Sequence, residues 1–145
     1  ILVNKWDLLD KSTETAKKAE EQIKKKIAPF TDVPIVFVSA LEKQRLLKGL
    51  ETAIQVHKNR TQKIATSVLN EVMLPLIGHH PPPATKGKYI QIKYCMQLPT
   101  ETPTFVFFAN LPQYIKEPYM RYIENQLREH FDFSGVPIQI YFRKK

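Results

Sequence analysis

Residues 104–110, Thr-Phe-Val-Phe-Phe-Ala-Asn, are apolar at consecutive positions instead of alternate ones. A strand of that kind needs cover on both faces, so the segment predicts the centre of a sheet. Two flanking segments supply neighbours. Ile90, Ile92, Tyr94, Met96 and Leu98 alternate with Gln91, Lys93 and Gln97, and Ile138, Ile140 and Phe142 alternate with Gln139, Tyr141 and Arg143. Period two predicts strands with one buried face. Each has a helical pattern before it. Val68, Leu69, Val72 and Leu76 share one helix face after a cap at Thr66-Ser67, and Pro75 and Gly78 predict the helix end. Ile115, Tyr119, Tyr122, Ile123, Leu127 and Phe131 form a second stripe, with Pro118 in a first turn that tolerates proline and Gly135 closing the helix. The loop His79-His-Pro-Pro-Pro-Ala-Thr-Lys-Gly-Lys88 separates the first helix from the sheet. The order α-β-β-α-β predicts a small α+β unit with helices on one face of a three-stranded sheet.

The first 59 residues follow another rule. Ile1-Leu2-Val3 reads as the end of a buried strand, and residues 35–38, Ile-Val-Phe-Val, as a second strand buried on both faces. Between them, Ala16, Ala19, Ile23 and Ile27 predict a helix over residues 12–28, stopped by Pro29. Leu46, Leu50, Ile54 and His57 form the stripe of another helix over residues 46–57, and residues 57–63 read as a linker. The order β-α-β-α implies a parallel sheet with crossover helices. Two strands do not make a stable parallel sheet, and the first begins at residue 1, so the chain is expected to be the tail of something larger. The predicted division is residues 1–59 and residues 60–145, the second folding by itself and the first not.

Composition narrows the function classes. No apolar run approaches the roughly 20 residues of a membrane helix, and a single cysteine, Cys95, excludes an internal disulfide and suits a reducing, cytoplasmic compartment. Of the net charge of +8, residues 1–59 carry +3 (11 Lys/Arg against 8 Asp/Glu) and residues 60–145 carry +5 (11 against 6). A basic unit suits an anionic partner, RNA first.

Asn4-Lys5-Trp6-Asp7 directly follows the first strand. An Asp carboxylate there can accept the paired N–H donors of a guanine edge, which adenine lacks, and such a bidentate pair discriminates by roughly 1–3 kcal/mol. The Asn amide can orient the loop, the Lys methylenes can lie on the purine, and Trp6 is expected to point away and pack locally. Ser39-Ala40, 32 positions after Asp7, closes the next strand, where backbone N–H groups can face guanine O6. Open parallel sheets bind ligands at these strand ends. The bland alternative is that Asn4 and Asp7 are turn residues and Ser39 a helix cap.

These two motifs resemble the guanine-specificity elements of the P-loop GTPases. Residues 66–145 resemble the KH-like C-terminal domain of the Der (EngA) family of bacterial ribosome-assembly GTPases, carried by TSVLNEVM, HHPPP, GKYIQIKYCMQLPTETPTFVFFAN, YMRYIENQLREHF and GVPIQIYFRKK. The resemblance implies the rear of a second GTPase domain followed by a KH-like unit, with two tandem GTPase domains in the parent. It implies GTP or GDP with Mg²⁺ as cofactors of the parent, and a role in maturing the large ribosomal subunit. Implied partners are rRNA and the parent's own GTPase domains, with no membrane and no DNA. By motif match, Asn4, Lys5, Asp7, Ser39 and Ala40 are the guanine-binding residues.

No G-x-x-x-x-G-K-[ST] phosphate loop is present, and Gly49, Gly78, Gly87 and Gly135 are too scattered to form one. This chain alone is therefore expected to bind no nucleotide firmly and to hydrolyse no GTP. No two glycines stand three apart, so the G-x-x-G clamp of RNA-binding KH modules is missing as well. Lys86, Lys88, Arg143, Lys144 and Lys145 are the candidate rRNA contacts, against a solvated tail. Tyr89, Lys93, Tyr141 and Arg143 are expected on the sheet face opposite the helices, for stacking bases or merely through the β-propensity of Tyr. His79-His80 lacks a second ligand cluster, so no metal is expected, and no catalytic residue is assigned. The alternative to a GTPase fragment is a stand-alone basic RNA-binding module.

Overall fold

The computed structural model describes residues 1–9, 13–85 and 87–144. They form two compact units: Ile1–Asn59 with Ser134–Val136, and Arg60–Phe133 with Pro137–Lys145.

In the first unit, β1 (Leu2–Val3) pairs in parallel with β2 (Val36–Phe37), Leu2 opposite Val36 and Val3 opposite Phe37. A 3-10 turn at Trp6–Leu8 and helix α1 (Thr13–Ile27) make the crossover, and α2 (Leu46–Thr61) follows β2. The Ser12 start expected for α1 lies outside the described residues. Two expectations for α2 are corrected. The helix runs to Thr61, through the predicted linker, because no Gly or Pro interrupts residues 57–61 and Gln55 donates to Asn59 one turn on (2.9 Å). The stripe is also displaced. Leu46, Leu50 and Ile54 are exposed, at 38%, 61% and 57%. The adjoining flank, Gly49, Thr52, Ala53 and Val56, instead lines a groove with Ile1, Leu2, Val33, Pro34 and Val36. Glycine lets α2 approach β1 closely, since a Cβ at Gly49 would stand 3.1 Å from the Leu2 side chain. A two-stranded sheet covers one flank of a helix and leaves the other apolar stripe bare.

In the second unit the strand order is β3-β4-β5, with β4 (Thr104–Ala109) central, antiparallel to β3 (Ile92–Leu98) and parallel to β5 (Gln139–Lys144). Helices α3 (Thr66–His79) and α4 (Glu117–His130) lie on one face. Leu69, Met73 and Ile77 of α3 and Tyr119, Ile123 and Leu127 of α4 pack with Cys95, Phe105, Phe107 and Phe133 in a single core. This is the predicted mixed α/β architecture: a parallel two-stranded piece and a small KH-like α+β unit.

Local details differ from expectation. Helix α3 passes through Pro75 instead of ending there. Proline removes one backbone donor, but Pro75 and Glu71, whose carbonyl loses that donor, are both exposed, so water can serve it while the buried stripe holds the helix. That stripe is Leu69, Met73 and Ile77, with Val68 44% exposed. The cap expected of Thr66-Ser67 is absent; Ala65 precedes the helix without a side-chain cap. Helix α4 ends through Phe131. Gly135, beyond it, takes φ +77°, and its N–H donates to Asp32 O (2.8 Å).

The alternation predicted for β3 breaks. A register shift between Ile92 and Tyr94 turns the strand over, so Ile92 and Cys95 are buried and Tyr94 is exposed. An extra residue of this kind re-aims every side chain after it. Tyr94 thus joins the face away from the helices, while Tyr89, 84% exposed, precedes the strand altogether.

Candidate functional site: two strand-end loops and a basic sheet face

Parallel pairing of β1 and β2 brings their carboxyl ends together, so Asn4-Lys5-Trp6-Asp7 and Ser39-Ala40 become neighbours. Trp6 N–H donates to Val38 O (3.1 Å) and Val38 N–H to Val3 O (2.8 Å). Asn4 ties the loops: its Oδ1 accepts from Lys5 N–H (2.8 Å) and Ala40 N–H (3.1 Å). A side-chain acceptor bonded to the next residue and to a residue 36 positions away fixes both loops at one point. Lys5 sits in the left-handed region at φ 60°. That backbone turn sends Trp6 inward, where it is 6% exposed and lies over Phe37, ring centres 4.2 Å apart. Asp7 is half-buried.

Ser39 is fully buried. Its Oγ accepts from Glu42 N–H (3.1 Å), and its backbone exchanges two bonds with Gln44 (3.2 and 2.9 Å), closing the turn that precedes α2. The Ala40 N–H expected to face guanine O6 is engaged by Asn4 here. The loop pair is therefore held by its own hydrogen bonds.

On the second unit, the described basic residues sit on or beside the sheet. Arg143 stands opposite Phe108 and Lys144 opposite Ala109 on β5. Lys88, in the small Thr85–Lys88 bridge, holds its ammonium 5.4 Å from the Tyr114 ring centre, a cation–π distance. Lys86 and Lys145 lie outside the described residues. The bulge at Lys93 and the strand ends open a cleft of about 300 Å³ lined by Lys93, Phe108, Ala109, Asn110 and Lys144. Asn110 holds its rim. Its Nδ2 donates to Tyr89 O (3.1 Å) and its Oδ1 accepts from Gln91 N–H (2.9 Å). Sequence reasoning found Lys93 and Lys144 but missed Phe108 and Asn110. The run of apolar residues hid Phe108, and Asn110 acts across 19 to 21 residues of chain.

Cys95 is no nucleophile: it is fully buried, and that burial pushes its thiol up to about 12. Among the described residues no group of three His, Cys, Asp or Glu stands close enough to hold a metal, and no helix is long and apolar enough to cross a membrane.

A family model described as the KH-domain-like unit of EngA bacterial GTPase enzymes, C-terminal, matches residues 63–143. Over 145 residues the chain is 66% identical to GTPase Der of Flavobacterium johnsoniae, 62% to that of Flavobacterium psychrophilum and 61% to that of Christiangramia forsetii. All of this chain is covered in each alignment, and 33% of each relative. The chain spans about a third of the length of the curated relatives it matches.

Proposed function

We propose that this chain, which belongs to the family of KH-like C-terminal units of the EngA bacterial GTPases, serves a cytoplasmic GTP-binding factor in maturing the large ribosomal subunit. In this reading the first unit is the guanine-selecting rear of a GTPase domain. Asn4 braces the loop pair, Asp7 selects the base, Lys5 lies along it, and the Ser39-Ala40 turn borders it. The exposed Leu46, Leu50 and Ile54 stripe supports the reading, because further strands of a parallel sheet would cover it. The parent's GTP, GDP and Mg²⁺ are held largely by phosphate-binding parts that are not in this sequence, so the chain alone hydrolyses no GTP.

The KH-like unit meets rRNA or the parent's own GTPase domains. The observation that carries the rRNA reading is the separation of charge. Strands β3, β4 and β5 carry Lys93, Arg143 and Lys144 and no acidic residue, while all six acids of residues 60–145 lie on helices or connecting loops. Cosedimentation of the 145-residue chain with purified large and small ribosomal subunits tests it. Pelleting with the large subunit in preference to the small is the expected result. Equal pelleting, or none, would refute it and favour a unit that works against its own GTPase domains.

A further inference from the structure

The charge separation locates the basic strands but does not say what they recognise. Three features converge at one end of the sheet. First, Tyr94, Phe108 and Arg143 stand in register across all three strands, two rings and a guanidinium in one row, with the rings 5.8 Å apart. One step along, Tyr141 is 48% exposed on the same face. Second, the cleft beside the row has Phe108 as its aromatic wall and Lys93 and Lys144 among its lining residues. Third, these cations form no ion pair among the described residues. Arg60, Arg121 and Arg128 elsewhere on the unit are each matched with a glutamate.

We propose that this row and cleft form a binding site for single-stranded RNA. One base stacks on Phe108 within the cleft, its flanking phosphates lie against Lys93 and Lys144, and the strand continues over Tyr94 and Arg143. Stacking on a flat aromatic needs an unpaired base, because the bases of an A-form duplex are enclosed and only its backbone and shallow groove are presented. Aromatic platforms flanked by cations hold single strands with little regard to sequence. The Asn110 clamp on Tyr89 and Gln91 sets the cleft rim before any ligand arrives, so binding orders little. The missing glycine clamp is then no obstacle, since the backbone is gripped by side chains on the sheet. This site rests on the rRNA reading above and sharpens it to an unpaired segment.

The test uses the 145-residue chain and a short, labelled, unstructured oligoribonucleotide, with binding followed by anisotropy across a salt series. Phe108→Leu is expected to weaken binding roughly tenfold at an unchanged salt slope, because it removes stacking alone. Tyr94→Leu provides the same readout if Phe108→Leu melts early. Lys93→Ala combined with Lys144→Ala is expected to weaken binding and lower the log–log slope by about 1.4, roughly 0.7 for each lost phosphate contact. Lys63→Ala combined with Lys116→Ala removes the same charge elsewhere and is expected to change far less. Equal losses in the two double variants would reduce binding to net charge and overturn the site. Unaltered binding in Phe108→Leu and Tyr94→Leu would do the same. A chain that pellets with large subunits but ignores the oligoribonucleotide would overturn this site and leave the proposed function standing. A chain that does neither would overturn both.

Discussion

Asn70 holds Cys95 at both backbone groups: its Nδ2 donates to Cys95 O (2.7 Å) and its Oδ1 accepts from Cys95 N–H (2.9 Å). The side chain of a helix residue thereby acts as a one-residue strand against β3, an edge strand of the sheet. Edge strands leave every second residue's N–H and C=O without a ladder partner. Here the helix supplies one, and the same amide fixes the spacing of α3 over the core. Asn70→Ala is expected to cost about 2–3 kcal/mol in chemical denaturation, since two backbone groups lose their partners at once. A loss below half of the lower figure would mean that water replaces the amide.

The thiol of the same residue is shielded. Burial alone pushes Cys95 from 9.0 to about 12, and burial with the neighbouring Tyr122 pushes the Tyr119 phenol up as well. The unfolded chain releases the thiol proton near 9.0, while the folded chain keeps it to about 12. The stabilisation is therefore complete below pH 9 and is lost as pH rises towards 12. The expected slope is up to about 1.4 kcal/mol per pH unit from Cys95. Denaturation at successive alkaline pH values checks the slope. At neutral pH, thiol labelling should wait on unfolding, and fast labelling of native protein would contradict the burial.

Much of this arrangement is legible in the sequence where it depends on local pattern. The both-faces-apolar run 104–110 marked the central strand, and the Tyr119, Ile123 and Leu127 stripe marked the inner face of α4. What was not legible depends on distant partners. The bulge between Ile92 and Tyr94 leaves no mark in an otherwise regular alternation, so Tyr94 and Cys95 exchanged faces. The Leu46, Leu50 and Ile54 stripe is a sound helix pattern, but its partner is not Leu2 or Val36. Pro75 lies on a solvent-facing turn, which a one-dimensional rule cannot see. Asn70, Asn110 and Gln97, the last accepting from Ile64 N–H (2.8 Å) and donating to Gln62 O (3.1 Å), join residues 19 to 35 positions apart and look like ordinary surface polar residues. At the candidate loops, the spacing of Asn4, Asp7 and Ser39 located the strand ends, while the Asn4–Ala40 bond needed the folded chain.

That bond makes its own prediction. Asn4→Ala removes the acceptor shared by Lys5 and Ala40 N–H, both at exposed loops. Each such bond contributes on the order of 1 kcal/mol. Amide exchange at Ala40 should accelerate by roughly fivefold to tenfold, with exchange in β4 unchanged. Unaltered exchange at Ala40 would show that the two loops are held without Asn4.

Gly135 carries two constraints at one position. Its φ of +77° suits glycine, and a Cβ there would meet Val56 at 2.8 Å and Pro34 at 2.9 Å. Gly135→Ala is expected to cost more than about 2 kcal/mol, since backbone strain and overpacking act together. By contrast Gly87, also at positive φ but with open space around it, should lose only about 1 kcal/mol on replacement by alanine. Equal melting of the two variants would contradict the close approach.

The salt dependence of large-subunit binding by the 145-residue chain tests the rRNA assignment most directly. Phosphate contacts release counterions, so affinity should fall linearly on a log–log plot, at roughly 0.7–0.9 per contact. A slope of about 2 or more is the predicted result, lowered when Lys93 and Lys144 are replaced by alanine. Binding that is flat across the salt series would contradict it, while a slope kept without those two lysines would overturn the sheet site alone.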